Sequence, residues 1–294
     1  MAAAKLTSWL ITGASSGLGQ SIAFAALQAG HKVIGTTRNV SQAEKSSPTF
    51  SEKGGIWVQL DPAQKNSYDQ FAKVSRDHDV DVLVNNAGYA FIGGVEDISE
   101  DELRAQMEVN FYAPFRTVQA CLPVMREKGS GHVVLISSGS GFAARPGRCA
   151  YSASKFAIEA LHEALSGEVN TLGIKVLIVQ PGAFRTAFAT RMLTPAAHES
   201  TGGFSAPYKG TALEQMVTMS KGITELPAHF ARGSPEKAAR AIIKAVDGGH
   251  DYLRLVLGSD CVAALDQKLS SLHHDLEATR AIGMSTDYDA TEEV

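Results

Sequence analysis

The chain has 294 residues, a formal net charge of -4, 44% hydrophobic residues and 20% charged residues. That length suits one large α/β domain, and the composition is that of a soluble globular protein with a sizeable core. An acidic balance without runs of like charge excludes a basic nucleic-acid groove, and no apolar stretch approaches the ~20 residues that span a bilayer.

In chain order, short apolar runs alternate with helical patterns. The runs are "SWLITG" (8–13), "KVIGTT" (32–37), "GIWVQLD" (55–61), "DVLVNNAG" (81–88), "HVVLISS" (132–138), "IKVLIVQPG" (174–182) and "YLRLVLG" (252–258). Most are continuously hydrophobic, as strands covered on both faces are. The alternation predicts crossover units on a parallel sheet, within a single domain over 1–294. The first strand runs into "TGASSGLG" (12–19) and a helix over 20–29. Gly13, Gly17 and Gly19 there suit a tight turn and a close approach to a pyrophosphate. Ser15 and Ser16 offer hydroxyls to phosphate, and the following helix offers free N–H groups and a positive dipole end. The second strand ends in Thr37 and Arg38, where a carboxylate would hold a ribose 2′-hydroxyl. No acid and a guanidinium favour a 2′-phosphate, hence NADP(H) over NAD. Asp61 closes the third strand and can accept from an adenine amino group, whereas Pro62 brings no N–H.

Ser99 and Glu102 form a capping box before "LRAQMEVNFYAPF", within which Asn110 is a polar residue among apolar ones and calls for a specific partner. Ser138 ends the fifth strand, where its hydroxyl can meet a developing oxyanion. Tyr151 and Lys155, in "YSASK", share one face of a helix at i and i+4. A nearby ammonium lowers a phenol's pKa from ~10, so that it can exchange a proton with an alkoxide or alcohol. Residues 187–232 carry prolines, glycines and apolar side chains after the sixth strand, and read as a substrate lid. Ser234 and Pro235 read as N-cap and first position of a later helix, and an amphipathic helix and tail occupy about 259–294.

The three cysteines, Cys121, Cys149 and Cys261, are odd in number and far apart, which fits reduced thiols and neither a disulfide framework nor a metal site. "MAAAKLTSWLITGAS" does not read as a signal peptide, so a cytoplasmic location is expected.

With "TGASSGLG", "NNAG" (85–88), Asn110, "LISS", "YSASK" and "QPGAFRT" (180–186) in this order and spacing, the chain resembles the short-chain dehydrogenase/reductase family over roughly 6–186. The resemblance implies a doubly wound Rossmann fold with a seven-stranded parallel sheet. It implies Tyr151 as general acid/base and Lys155 lowering its pKa while binding the nicotinamide ribose. Ser138 would orient the substrate carbonyl, and Asn110 would support a proton-relay water. Gly13, Ser15, Ser16, Gly17, Leu18, Gly19, Thr37, Arg38, Asp61, Asn86, Ala87, Gly88, Pro181, Gly182, Phe184 and Thr186, with Tyr151 and Lys155, would hold NADP(H). The expected reaction is hydride transfer between NADPH and a ketone or aldehyde. Phe91, Phe142, Phe188, Met192 and Phe204 suggest an apolar or aromatic substrate body. A homo-oligomer, dimer or tetramer, is the expected assembly; no nucleic acid or membrane partner is. An isomerase or dehydratase on the same fold, and an NADP-binding sensor, remain open alternatives.

Overall fold

Seven short strands pair in parallel, in the order β3-β2-β1-β4-β5-β6-β7, in a computed structural model that describes residues 6–222 and 231–288. The strands are β1 (Ser8–Ile11), β2 (Lys32–Thr37), β3 (Ile56–Gln59), β4 (Val82–Asn85), β5 (Gly131–Ile136), β6 (Ile174–Pro181) and β7 (Arg254–Leu257). They match the seven apolar runs, trimmed where each run passes into its loop. The helices are α1 (Gly17–Gln28), α2 (Val40–Ser46), α3 (Pro48–Glu52), α4 (Ser67–Asp77), α5 (Glu100–Met107), α6 (Ala113–Lys128), α7 (Cys149–Val169), α8 (Ala212–Lys221), α9 (Pro235–Asp247) and α10 (Ser259–Met284).

The alternation of strand side chains divides the core in two. Trp9 and Ile11 of β1 face α1 and α9 with Ile22, Val84, Val134, Val179, Ile242 and Val246. Leu10, between them, faces the opposite layer with Phe71, Leu83, Val118, Met125, Val133 and Leu165 from α4, α6, α7 and the sheet. Covered on both faces, this is one α/β domain whose strands have no polar face.

Helix boundaries follow local chemistry. The Ser99–Glu102 capping box forms in full ahead of α5, and Ser234 caps α9 by accepting from Lys237 N–H, with Pro235 at its first position. Two expectations shift. Helix α1 starts at Gly17, three residues before the expected Gln20, because Ser16 is already extended and the glycine turn feeds straight into the helix. The helix after Ser99 does not run unbroken: residues Glu108–Tyr112 form a π-helical turn between α5 and α6. Such turns recur at functional sites, and Asn110 sits in this one.

The chain winds outward from β1 to β3, then returns to β4, leaving a crevice beyond the carboxyl ends of β1 and β4 where the winding reverses. The expected lid, 187–232, is described up to residue 222 and again from 231; residues 223–230 lie outside the described residues. Its described part folds back over this crevice: Phe188, Met192, Phe204, Tyr208, Leu213 and Val217 pack around Tyr151, Ala90 and Ile92.

Candidate active site

The glycine turn is shaped by close approach. Gly13 has φ +66°, and a Cβ there would stand 3.2 Å from Ala87 Cα. A Cβ on Gly19 would stand 2.3 Å from Asn86 Nδ2 and 2.7 Å from Gly13 O. Asn86 crosses into this space and donates to the carbonyls of Thr12 (2.9 Å) and Gly13 (3.2 Å). Thr12 Oγ1 in turn accepts from the N–H groups of Asn86 (2.9 Å) and Ala87 (3.0 Å). The end of β1 and the end of β4 are thereby locked at one height. Leu18 anchors the start of α1 against the core. Ser16 makes no cap bond with its side chain, and the first turn of α1 carries no acid. This leaves an electropositive cradle beside the hydroxyls of Ser15 and Ser16.

Thr186 returns to the same cradle: its Cβ would lie 3.5 Å from a Cβ on Gly17. From the adjoining loop, Arg191 Nη2 donates to Ser16 Oγ (2.8 Å). Pro181 ends β6, and Gly182 N–H donates to Leu257 O (2.8 Å). Phe184 pairs with Gly233 through an isolated bridge. Asp260, at the start of α10, accepts from Ala183 N–H (2.8 Å) and lies where a Gly182 side chain would be.

At the other end of the crevice, Thr37 is buried with its Oγ1 accepting from Asn39 N–H (3.3 Å). Arg38 follows, exposed and with no carboxylate beside it at the strand end. Asp61 is turned inward on its own loop, where Oδ1 accepts from Ala63 N–H (3.1 Å), and Pro62 is buried.

The chemical end centres on α7. Tyr151 is 4% exposed and Lys155 6% exposed. Ser138, just past β5, caps a short turn by accepting from Ser140 N–H (3.1 Å), and its side chain is close enough to the Tyr151 phenol to lower that group's pKa. Lys155 Nζ donates to Ile136 O (2.9 Å) and lies 5.9 Å from the centroid of the Tyr151 ring. Asn110 is 2% exposed. Its Oδ1 accepts from Tyr89 N–H (3.3 Å), and its Nδ2 donates to Tyr89 O (3.0 Å) and Ser154 Oγ (3.1 Å). A Cβ on Gly88 would stand 3.0 Å from Asn110 Oδ1. Asn110 thus clamps the segment after β4 to α7, with both of its amide hydrogens engaged.

The electrostatics depart from the sequence expectation in one respect. Burial pushes the Tyr151 phenol above its usual value; the Ser138 hydrogen bond and the Arg148 charge oppose that rise, and Lys155 is not among the opposing groups. The ammonium sits over the ring face and donates to a carbonyl. Burial also pulls Lys155 down to about 8, with the Glu159 charge resisting.

Glu159 escaped the sequence reading. It is one further turn along the Tyr151–Lys155 face and 4% exposed. It accepts from Ser137 Oγ and from Gln180 Nε2 (2.8 Å), and Arg254 Nε lies 3.8 Å away. Its carboxyl is raised by burial, against the Ser137 and Gln180 bonds and the charges of Arg254 and Lys155. The signal was present: positions 151, 155 and 159 repeat at four, so the acid shares a face with the Lys155 ammonium. Asp260 and Arg191 left no local signal, because only the fold brings them to Gly182 and Ser16. His162, a turn beyond, donates Nδ1–H to Ile158 O (2.8 Å), and burial lowers it to about 4.

The glycine cradle, with its free helix end, hydroxyls and arginine, fits a dinucleotide pyrophosphate, and the exposed Arg38 fits a further phosphate at the far end. The buried Tyr151 and Lys155, with the half-buried Ser138 beside them, fit proton exchange at an oxygen.

Comparison with known proteins agrees. A family model described as short chain dehydrogenase matches residues 8–196. An oxidoreductase, claN, of Passalora fulva is 47% identical over 196 residues, 66% of this chain and 90% of that protein. The crystal structure of a short-chain dehydrogenase from Streptomyces avermitilis superposes with a TM-score of 0.83 at 39% identity, covering 97% of this chain and all of that one. An alcohol dehydrogenase from the archaeon Thermococcus sibiricus, solved with 5-hydroxy-NADP, superposes with a TM-score of 0.67 at 25% identity, over 86% of this chain and 96% of that one. Among the described residues no helix is long and apolar enough to cross a membrane.

Proposed function

The chain belongs to the short-chain dehydrogenase/reductase family, and we propose that it is an NADP(H)-dependent carbonyl reductase or alcohol dehydrogenase acting on an apolar or aromatic substrate. The observation that carries this is the buried pair of Tyr151 and Lys155 on one face of α7 with the half-buried Ser138 beside the phenol, at the end of a cradle with free helix N–H groups and no acid.

When bound, NADP(H) supplies or accepts the hydride. Gly13, Ser15, Ser16, Gly17, Leu18 and Gly19 hold its pyrophosphate, with Thr37 and Arg38 at the 2′-phosphate. Asp61, Asn86, Ala87 and Gly88 line the nucleotide, and Pro181, Gly182, Phe184 and Thr186 line the nicotinamide end. Tyr151 gives a proton to the substrate oxygen in reduction and takes one in oxidation. Ser138, beside the phenol, donates to that same oxygen and orients the carbonyl. Lys155 stabilises the phenolate that forms and reaches toward the ribose. Glu159 keeps Lys155 charged in a buried position that would otherwise strip its proton. Asn110 positions α7 against the segment after β4 through Ser154 and Tyr89. Phe188, Met192 and Phe204 exclude water above Tyr151. A cytoplasmic location and a homo-oligomeric assembly belong to the same reading.

Tyr151→Phe tests it. NADPH oxidation is followed with a panel of ketones and aldehydes. The wild type turns over at least one, and the variant loses about a hundredfold or more, the usual worth of a general acid. Full activity of Tyr151→Phe on every active ketone would remove the mechanism. NADPH binding without turnover of any carbonyl would leave the sensor reading instead.

A further inference from the structure

Helix α10 stands apart from the rest of the molecule. It runs 26 residues, which is about 39 Å at 1.5 Å per residue. Its base is pinned: Asp260 accepts from Ala183 N–H, and Cys261 Sγ donates to Gln180 O (3.3 Å). Cys261 is its one buried residue, and Ala264, Leu265 and Lys268 are partly covered. From Leu269 onward every described residue is exposed. Yet this free stretch is not a polar face. Val262 is 47%, Leu269 56%, Leu272 50% and Leu276 53% exposed. With Leu265 they recur at alternating steps of three and four, the a and d positions of two heptads. An isolated helix gains little from propensity alone and depends on packing one apolar face.

We propose that α10 is a self-association element, pairing antiparallel with α10 of a second copy of this chain. The charges beside the stripe choose the occupant. An antiparallel pair centred between positions 269 and 272 sets Leu269 against Leu272 of the second copy and Leu265 against Leu276. The flanking positions then bring Lys268 opposite Asp275, and Asp266 opposite His273. Two-fold symmetry makes each of these pairs twice. A parallel pair would instead set Lys268 against His273, which offers no acid. A lipid surface is the poorer occupant. Membrane-surface helices carry lysine and arginine on the polar face, whereas 259–284 holds four acids against two bases. The antiparallel arrangement also sends the two domains to opposite ends of the pair.

Nothing in this inference uses the oxidoreductase reading, and its test reads mass and amide protection, not turnover. Sedimentation velocity of the full chain over a wide concentration range is combined with hydrogen exchange of 262–284. The wild type self-associates and protects these amides. Leu272→Glu halves the mass of the assembly and removes the protection, with the thermal transition of the domain retained. Lys268→Glu faces an acid on an acid twice and weakens association about tenfold. Lys268→Glu/Asp275→Lys restores it, which a parallel pair would not allow. Equal masses for wild type and Leu272→Glu would overturn the proposal. So would a double variant no better than the single one. A wild type that stays monomeric with unprotected α10 amides would overturn it too, and would assign the face to a different protein.

Discussion

Removing the charge of Glu159 while keeping its shape isolates the electrostatic part of the site. Glu159→Gln is nearly isosteric, and the pocket can accept it. Gln180 Oε1 is buried with no partner, so a turn of the Gln180 amide lets it accept from the new side-chain amide. Ser137 Oγ still donates to the remaining oxygen. What is lost is a negative charge one helical turn from Lys155. At ~6 Å and an effective dielectric constant of ~20, Coulomb's law gives roughly 3 kcal/mol. Arg254, 3.8 Å from the carboxylate and partly in solvent, already neutralises part of that, so about one pKa unit, or about 1.4 kcal/mol, is expected to reach Lys155. The sign follows from which form loses its partner. The ammonium is the stabilised form, so its pKa falls, from about 8 to about 7 on this reckoning. Tyr151, raised by burial, does not titrate in this window, and His162, lowered to about 4, is neutral throughout it. The alkaline limb of the pH–rate profile therefore moves down by about one unit: rates match the wild type near pH 6 and are about fivefold lower at pH 8. Arg254→Gln provides the mirror experiment. With the guanidinium gone, Glu159 acts more fully on Lys155, and the limb moves to higher pH. If the Glu159→Gln profile superposes on the wild type, or if both variants move the limb the same way, Glu159 is not the counter-charge of Lys155.

Two further outcomes follow from other parts of the molecule. At the cofactor's far end, Arg38→Ala should raise the KM for NADPH about 10- to 100-fold, the worth of a charge-assisted phosphate contact, and leave that for NADH unchanged. Thr37→Asp, which can keep the bond from Asn39 N–H, should carry the preference to NADH; a wild type that already prefers NADH refutes the assignment. In the core, His162 has its pKa lowered by burial from 6.5 to about 4. A depressed pKa leaves its share of stability intact above pH 6.5 and removes it as pH falls toward 4. Urea unfolding of His162→Leu should show the stability gap between pH 7 and pH 4.5 shrinking by roughly 2 to 3 kcal/mol relative to wild type; an unchanged gap would mean that the imidazole charges elsewhere than in the core.

The sequence carried the fold in its local chemistry. Continuous apolar runs such as "HVVLI" belong to strands covered on both sides, and caps at Ser99 and Ser234 mark helix starts without help from tertiary contacts. Glycine spacing likewise placed the cradle, because Gly13 and Gly19 are required by contacts a few residues or one strand away. What remained hidden was the work done by residues whose role depends on a crossing. Asn110 was legible as a polar residue needing a partner, but not that the partners are Tyr89 and Ser154. Arg191 and Asp260 reach Ser16 and Ala183 across the sheet ends, which periodicity cannot report. The i, i+4 rule brought Lys155 to the same face as Tyr151 correctly. It did not give the direction of the ammonium, which a backbone carbonyl at Ile136 captures.

That capture explains why the buried pair needs more than two members. Burial works on both groups toward neutrality: it raises the phenol and lowers the amine. In the proposed reaction, protonating an alkoxide leaves a phenolate in the same dry pocket, so the step would gain from each group that favours negative charge on that oxygen. Ser138 does so by a hydrogen bond and Arg148 by its field. Lys155 can join them only while it holds its proton, and its own surroundings work against that. Glu159 supplies the missing charge, and it is held by Ser137 just past β5 and by Gln180 beside Pro181. One carboxylate therefore links the ends of β5 and β6 to α7, so the geometry that orients Ser138 and the charge that sustains Lys155 stand or fall together.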